Sequence, residues 1–165
     1  MKEQTQSGPA WASRGGFLQV PTGVEGQVGS QDRAAIAETM YRYAWGYDER
    51  ALDVLESVFT VDAIVRTTVA DVGSLELFEG RTAILSWLEG HMAEQLDQRR
   101  HCVLNHVITP TSKDEVGVIA YLLLTAVEGE VVRLVTTGVY RMTLVRDRKH
   151  TWLIRHMFAG FDAAF

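Results

Sequence analysis

The second half of the sequence sets the strongest limit on what this chain can fold into. From residue 101 to residue 160, apolar and polar residues alternate at period two, as they do in strands that bury one face. Short polar turns separate four strands, which we expect over 101–109, 115–127, 131–145 and 151–160. Turns this short join antiparallel neighbours. The region therefore predicts one antiparallel sheet of long strands.

The segments before these strands follow a different period. Apolar residues recur at spacings of three and four over 31–47, 49–59 and 81–95, which predicts three helices. Two short stretches at 63–69 and 75–78 are expected to be further strands. Helices that precede hairpin-linked strands favour an α+β domain, in which the helices close over one face of a curved, mostly antiparallel sheet. A sheet that curls around an apolar interior forms a pocket.

Residues 1–30 show neither the period of two that is typical of strands nor the spacing of three and four that is typical of helices. They are rich in glycine, proline and serine, so we expect a flexible N-terminal extension ahead of a folded domain over 31–165. A chain of 165 residues has the size of one domain, which predicts a single core.

Composition narrows the classes of partner and compartment. The net charge of -5 and the scattered Lys and Arg residues give no basic surface for nucleic acid. No segment approaches the roughly 20 apolar residues that span a bilayer, so no membrane partner is expected. Cys102 is the single cysteine, which rules out an intrachain disulfide. We therefore expect a cytoplasmic protein.

One acidic residue stands out at the end of the first predicted helix. Asp48 follows four aromatic residues, which are Tyr41, Tyr43, Trp45 and Tyr47. A carboxyl group that is buried among rings resists ionisation, which suits it to general acid or base chemistry. Aspartate is also a favoured N-cap residue, so Asp48 is an equally good cap for the helix that follows. The residues alone leave both interpretations open.

A second candidate group lies at the start of the first long strand. Period two places His101 and Asn105 on the same face, where an imidazole and an amide would project into the pocket. The alternative for His101 is a structural, hydrogen-bonded residue. Five further residues are candidates for contacts with a substrate, although the period alone does not settle where their side chains point. They are Tyr41, Trp45, Trp87, Tyr121 and His156.

The sequence contains no motif that is typical of a metal site or of a catalytic nucleophile. The five histidines form neither a His-x-His nor a His-Glu-x-x-His arrangement, and Cys102 has no second cysteine as a ligand partner. In a regular strand Cys102 points away from His101, and no Gly-x-Ser-x-Gly motif occurs. We expect no metal and no cofactor.

Four short motifs follow one another with a characteristic order and spacing: Tyr43 to Asp48, Phe59 to Ala63, Phe78 to Arg81, and Arg100 to Asn105. Together they resemble the SnoaL-like branch of the nuclear-transport-factor-like (NTF2-like) superfamily over about 31–160. The resemblance implies a cone-shaped α+β barrel, closed by the N-terminal helices and usually a homodimer, with one apolar pocket.

Within this branch, the resemblance extends to the candidate sites of two dehydratases. In scytalone dehydratase a Tyr-Asp pair ends the first helix and a His opens the first long strand, as Tyr47, Asp48 and His101 do here. In bile-acid dehydratase a Tyr stands five residues before the Asp, in the position of Tyr43. A second His of scytalone dehydratase has no counterpart over 119–122, and the Asp-Arg-Asp set of limonene epoxide hydrolase is also missing. Neither specific activity can therefore be transferred.

The resemblance implies a cofactor-independent lyase or isomerase of the dehydratase or cyclase type. Asp48 and His101 would move a proton on an apolar, oxygenated ring substrate such as a polyketide or steroid-like compound. Tyr43 or Tyr47, together with Asn105, would hydrogen-bond the developing oxyanion. The branch also includes ketosteroid isomerase, polyketide cyclases and the small subunits of ring-hydroxylating dioxygenases. The alternative is therefore a non-catalytic ligand-binding or oligomerising domain.

Overall fold

The structure is a computed structural model that describes residues 28–69 and 76–165. Residues 1–27, which make up most of the predicted N-terminal extension, lie outside the described residues. The described part contains three helices, which are α1 (Ser30–Asp48), α2 (Leu52–Val58) and α3 (Arg81–Glu94). None of these helices has both the length and the apolar character that crossing a membrane requires.

Six strands form one sheet, in the order β2-β1-β6-β5-β4-β3. They are β1 (Phe59–Val69), β2 (Glu76–Glu79), β3 (Gln98–Ser112), β4 (Glu115–Glu128), β5 (Val131–Arg146) and β6 (Trp152–Phe161). Every neighbouring pair is antiparallel except β1 with β6, which is parallel. Among the residues that the structure describes, β2 and β3 stand at the two edges, so this curved sheet is open and is not a closed barrel. The α+β class and the mostly antiparallel sheet are confirmed.

The helices cover one face of the sheet, and the core lies between the two layers. α1 packs against β3 and β6, and α3 packs against β1. The spacing predicts a buried stripe of Ile36, Met40, Tyr43, Ala44 and Tyr47; the first four are buried and Tyr47 is half-buried. Burying a side chain the size of Ile36 contributes about 1.5–3 kcal/mol to stability. The period of the first helix was therefore a correct guide to its buried face.

The first turn of α1 is tied to the sheet by Asp32. Its carboxylate accepts a hydrogen bond from Trp152 Nε1 at 3.2 Å and forms an ion pair with Arg146. The guanidinium of Arg146 also lies over the Trp152 ring, 4.8 Å from the ring centroid. These contacts fix the direction in which α1 crosses the sheet, and its other end meets β3.

Two strands, β1 and β3, extend several residues beyond their predicted bounds. β1 begins at Phe59 and not at residue 63, which leaves α2 as a helix of 7 residues. β3 begins at Gln98 and continues through Pro110, where we expected a turn. Proline is tolerated there because β3 is an edge strand, so one side of its backbone needs no partner in the sheet.

A β-bulge in β3 changes which side chains face inward. β3 and β4 pair regularly up to Leu104 and again from Val107, but β3 has one more residue than β4 in between. Asn105 lies in this bulge with a φ of 52°, a left-handed conformation that asparagine tolerates better than most residues. Its side chain is exposed. The expectation that Asn105 shares the inward face of His101 is therefore wrong.

Candidate active site

A cavity of about 630 Å³ lies between the helices and the inner face of the sheet. Residues of α1, α3 and all six strands line it, together with the segments 95–97 and 164–165. A cavity of this size accommodates a small organic molecule of two or three rings. The pocket that the curved sheet predicted is therefore present.

Asp48 and His101 form a hydrogen-bonded pair at the wall of this cavity. Asp48 Oδ1 lies 2.6 Å from His101 Nδ1, and Asp48 Oδ2 accepts the backbone N–H of His101 at 2.8 Å. Both side chains are only 6% exposed. The pair joins the last residue of α1 to the beginning of β3. Both oxygens of one buried carboxylate are thus used to hold one histidine.

This geometry determines which ring nitrogen is available to a ligand. An ionised carboxylate only accepts hydrogen bonds, so we assign the Nδ1–H tautomer to neutral His101, with its lone pair on Nε2. Within residues 28–69 and 76–165, Nε2 has no hydrogen-bond partner. His101 lines the cavity, whereas Asp48 does not. Asp48 therefore acts on a bound molecule only through His101.

The alternative interpretation of Asp48, as the cap of the second helix, is wrong. α2 begins at Leu52 with Ala51 as its N-cap, and no side chain in the described part of the chain caps it. The Asp48 carboxylate is engaged by His101 instead. The backbone carbonyl of Asp48 also accepts a hydrogen bond from Gln98 Nε2 at 2.8 Å, which ties the end of α1 to β3 a second time.

Two buried phenols, those of Tyr43 and Tyr140, form a second polar group on the cavity wall. The two hydroxyl groups are hydrogen-bonded to each other, and the rings meet edge to face with centroids 5.9 Å apart. The residues are 5% and 1% exposed, and this burial raises the pKa of each phenol well above its usual value. Both phenols therefore stay protonated near neutral pH and act as hydrogen-bond donors.

Tyr47 adds a third phenol beside the histidine. Its ring centroid lies 4.8 Å from that of His101, in an edge-to-face arrangement. Its hydroxyl oxygen accepts a hydrogen bond from Gln95 Nε2 at 2.6 Å, which leaves the hydroxyl hydrogen for a bound molecule. Burial raises the pKa of Tyr47 as well, so this group is also a donor. His101 is thus a basic group among protonated phenols.

The structure brings together only some of the predicted site residues. Tyr43, Tyr47, Trp87 and His101 line the cavity, and Trp87 is stacked on Phe78 with ring centroids 4.3 Å apart. The other candidates do not line it and are exposed, because the bulge turns Asn105 outward and the rest lie on outer surfaces of α1 and the sheet. These outward-facing residues are Asn105, Tyr41, Trp45, Tyr121 and His156.

Tyr140 and Arg99 line the cavity but were not predicted. Tyr140 alternates in phase with the buried residues Met142 and Leu144, so the period of β5 could have indicated its direction. Arg99 lies two residues before His101 on β3, at a position that the predicted strand did not reach. No described group of three or more His, Cys, Asp or Glu side chains is arranged to hold a metal ion.

The comparison with known proteins agrees with this architecture. A family model for the SnoaL-like domain matches residues 29–157 of the chain. No curated protein matches the sequence.

Several solved structures share the fold at less than 25% identity, a level at which the likeness concerns the fold alone. ActVI-ORFA from Streptomyces coelicolor is 21% identical, with a TM-score of 0.71 over 81% of this chain and 98% of that chain. An NTF2-like protein with a cystatin-like fold from Novosphingobium aromaticivorans is 19% identical, with a TM-score of 0.68 over 79% and 82% of the two chains. The beta subunit of a proposed aromatic-ring-hydroxylating dioxygenase from the same organism is 16% identical, with a TM-score of 0.71 over 84% and 94%.

The buried phenols predict a loss of stability at alkaline pH. Burial raises the pKa of Tyr140 above that of an unfolded tyrosine, about 10. Stability is therefore fully present below about pH 10 and falls as the pH rises toward the higher pKa of the folded state. Between pH 9 and pH 11, each such phenol should cost about 1.4 kcal/mol of unfolding free energy.

Urea unfolding at pH 9 and at pH 11 tests this predicted loss of unfolding free energy. In Tyr140→Phe, the loss of stability from pH 9 to pH 11 should be smaller than in the wild type by about that amount. The difference between the two pH values cancels the constant cost of the lost hydrogen bond. Tyr41→Phe, which changes an exposed tyrosine of α1, is the control and should keep the wild-type loss. An unchanged loss in Tyr140→Phe would contradict the prediction.

Proposed function

This chain belongs to the SnoaL-like family, and we propose that it is a cofactor-independent lyase or isomerase of the dehydratase or cyclase type. Its substrate would be an apolar, oxygenated ring compound such as a polyketide or steroid-like molecule. The observation that carries the proposal is the His101–Asp48 pair, which presents one basic nitrogen to the cavity. A positioned base of this kind removes a proton from carbon when a neighbouring carbonyl can hold the negative charge.

The chemistry would proceed in two proton transfers. His101 Nε2 takes a proton from a carbon next to a carbonyl, and the electrons of the broken C–H bond move onto the carbonyl oxygen as an enolate. The imidazolium then returns the proton either to another carbon, which gives an isomer, or to a leaving hydroxyl, which departs as water and leaves a C=C bond. The overall reaction consumes no electrons and needs no co-reactant.

The phenols would stabilise the enolate. Tyr43 and Tyr47 line the same cavity as His101, and both remain protonated because burial raises the pKa of each. Fixed donors in a water-poor site stabilise developing negative charge more strongly than water does. Tyr140, hydrogen-bonded to Tyr43, would hold that hydroxyl in place.

Asp48 would be a positioning residue in this scheme. Its carboxylate fixes the ring of His101 and the tautomer in which Nε2 is basic, and it stabilises the imidazolium formed after proton transfer. Replacement by Asn substitutes a neutral amide, whose NH₂ group can donate to Nδ1 and place the ring proton on Nε2. His101 would then present a protonated Nε2 to the substrate, and this nitrogen could not accept a proton.

Exchange of carbon-bound hydrogen with deuterated solvent tests the proposed proton transfer. With 2-tetralone as a bicyclic ketone probe, the protein should catalyse α-hydrogen exchange in D₂O, followed by the loss of the proton NMR signal. His101→Ala and Asp48→Asn should each lower the catalysed rate by about 10²–10⁴-fold, the contribution of a positioned acid or base. His156→Ala, an exposed histidine outside the cavity, should keep the wild-type rate. Equal rates in wild type and His101→Ala would refute the role of His101.

The competing function is a structural subunit that assembles with a larger, metal-containing chain. The likeness to the dioxygenase beta subunit favours it, since that protein shares the fold over most of both chains. A structural role does not require a histidine that lines a cavity and is held by a buried aspartate. Co-purification with a metal-containing chain, together with the absence of catalysed exchange, would favour this function over the enzyme.

We further propose that the protein is a homodimer that pairs through the outer face of the sheet. Leu104 and Tyr121 are cross-strand partners on β3 and β4, and both are exposed, as is the nearby Val107. An exposed group of apolar side chains on the surface of a sheet is typical of an interface.

The mass in solution tests the dimer. Tyr121→Lys places a charge in the middle of this face, so light scattering should report a monomer in place of the wild-type dimer. Val61→Lys changes another exposed apolar residue, on β1, which lies near the other edge of the sheet from β3 and β4. This variant should remain dimeric. A monomeric wild type, or a dimeric Tyr121→Lys, would contradict the proposed interface.

A further inference from the structure

A cluster of charged side chains lies on the cavity wall beside the histidine. It consists of Asp97, Arg99 and Arg133, all of which line the cavity. Asp97 Oδ1 accepts a hydrogen bond from Arg99 Nε at 3.1 Å, and Asp97 Oδ2 accepts one from Arg133 Nη2 at 2.7 Å. One carboxylate thus serves two guanidinium groups, so the cluster carries one positive charge in excess.

Arg99 is the member of the cluster that is most available to a bound molecule. Its side chain is only 13% exposed, and its guanidinium lies over the Phe165 ring, 4.9 Å from the ring centroid. Asp97 uses only the Nε of Arg99, and the two terminal nitrogens have no hydrogen-bond partner within residues 28–69 and 76–165. A planar guanidinium held in this way presents two parallel donors, which match the two oxygens of a carboxylate.

The acidic side chains of the cavity do not cancel this charge. Glu76, Glu94 and Glu128 also line the cavity, but all three are exposed, so solvent screens them. Asp97 is the acidic residue that is buried, and both of its oxygens are already paired. The least screened unpaired donors in the cavity wall are therefore those of Arg99.

The position of Arg99 relates it directly to the candidate base. Arg99 and His101 are two residues apart on β3 before the bulge, so their side chains leave the same face about 6–7 Å apart along the strand. Tyr47 lies beside both of them. A carboxylate held by Arg99 would thus place the adjoining carbon skeleton next to Nε2 of His101.

We propose that Arg99, supported by Asp97 and Arg133, binds a carboxylate of the substrate, which is therefore a ring compound that carries an acid group. The inference rests on the proposed function, because it takes this cavity to be the substrate site. It specifies the class of substrate, which is an organic anion and not a neutral ring ketone. It also specifies the end of the cavity at which that substrate is anchored.

A pair of probes of the same shape and different charge tests the proposal. The dissociation constants of 2-naphthylacetate and of the neutral 2-naphthylacetamide would be measured by NMR titration of the whole protein. The acid should bind about tenfold or more tightly than the amide at low salt, because a charge-assisted bidentate contact is stronger than a neutral one. The preference should shrink as salt is raised.

Variants of neighbouring residues assign the preference to Arg99. Arg99→Gln should remove the preference for the acid, and Arg133→Gln should reduce it. Arg100→Gln is the matched control, since Arg100 is the next residue of β3, is exposed and pairs with Glu49 outside the cavity. Melting temperatures confirm that each variant is folded, and Arg133→Gln, which changes a half-exposed side chain, provides a second test if Arg99→Gln is unstable.

The outcome is separable from that of the proton-transfer experiment. His101→Ala should keep the preference for the acid even though it loses catalysed exchange, so a failure of the acid–base role leaves this result standing. Equal affinity for the two probes in the wild type, no binding of the acid at millimolar concentration, or an unchanged preference in Arg99→Gln and Arg133→Gln would each overturn the inference.

Discussion

The carboxylate of Asp48 accepts two hydrogen bonds from a single residue, His101, and this junction decides where the end of α1 meets the first long strand. A buried carboxylate costs several kcal/mol of desolvation unless partners offset it, so the two elements are held in one relative position. Gln98, which binds the backbone carbonyl of Asp48, reinforces the same junction. At the opposite end, Asp32 anchors α1 to Arg146 and Trp152. A helix fixed at both ends makes a rigid wall for the cavity.

The polar groups on this wall differ in charge, and each has its own physical reason. Water is largely excluded around Tyr43 and Tyr140, which keeps both phenols neutral because burial raises the pKa of each. His101 has one nitrogen held by a carboxylate and the other left for a ligand. Arg99 keeps its charge because guanidinium groups remain protonated, and Asp97 offsets only part of the cost of burying it. One cavity thus contains a base, neutral donors and a fixed cation.

Much of the fold follows from local patterns in the sequence. Period two located the four long strands to within a few residues, and spacings of three and four located the buried stripe of α1. The bulge at Asn105 could not be predicted in this way, because one inserted residue reverses every later side chain without altering the composition of the strand. The open edge of the sheet was also missed, since closure depends on whether β2 and β3 meet, which no local pattern encodes.

The candidate site was predictable in part. His101 and Asp48 could be paired through the family resemblance, because the two residues lie 53 positions apart and share no local pattern. Trp45 and Tyr41 were expected near Asp48, but helical geometry places them on the exposed side of α1. Tyr140 and the Asp97–Arg99–Arg133 cluster come from segments that are distant in sequence, and only the packed structure shows that they share a cavity with His101.

The most direct test of the central claim is the tautomer of His101 in the wild-type protein, read from the nitrogen-15 chemical shifts of its ring at a pH at which the imidazole is neutral. If Asp48 orients the ring as described, Nδ1 should show the shift of a protonated nitrogen and Nε2 that of an unprotonated one. Loss of this state in Asp48→Asn would identify the carboxylate as its cause. A proton on Nε2 in the wild type, or a rapidly exchanging mixture of the two tautomers, would contradict the account.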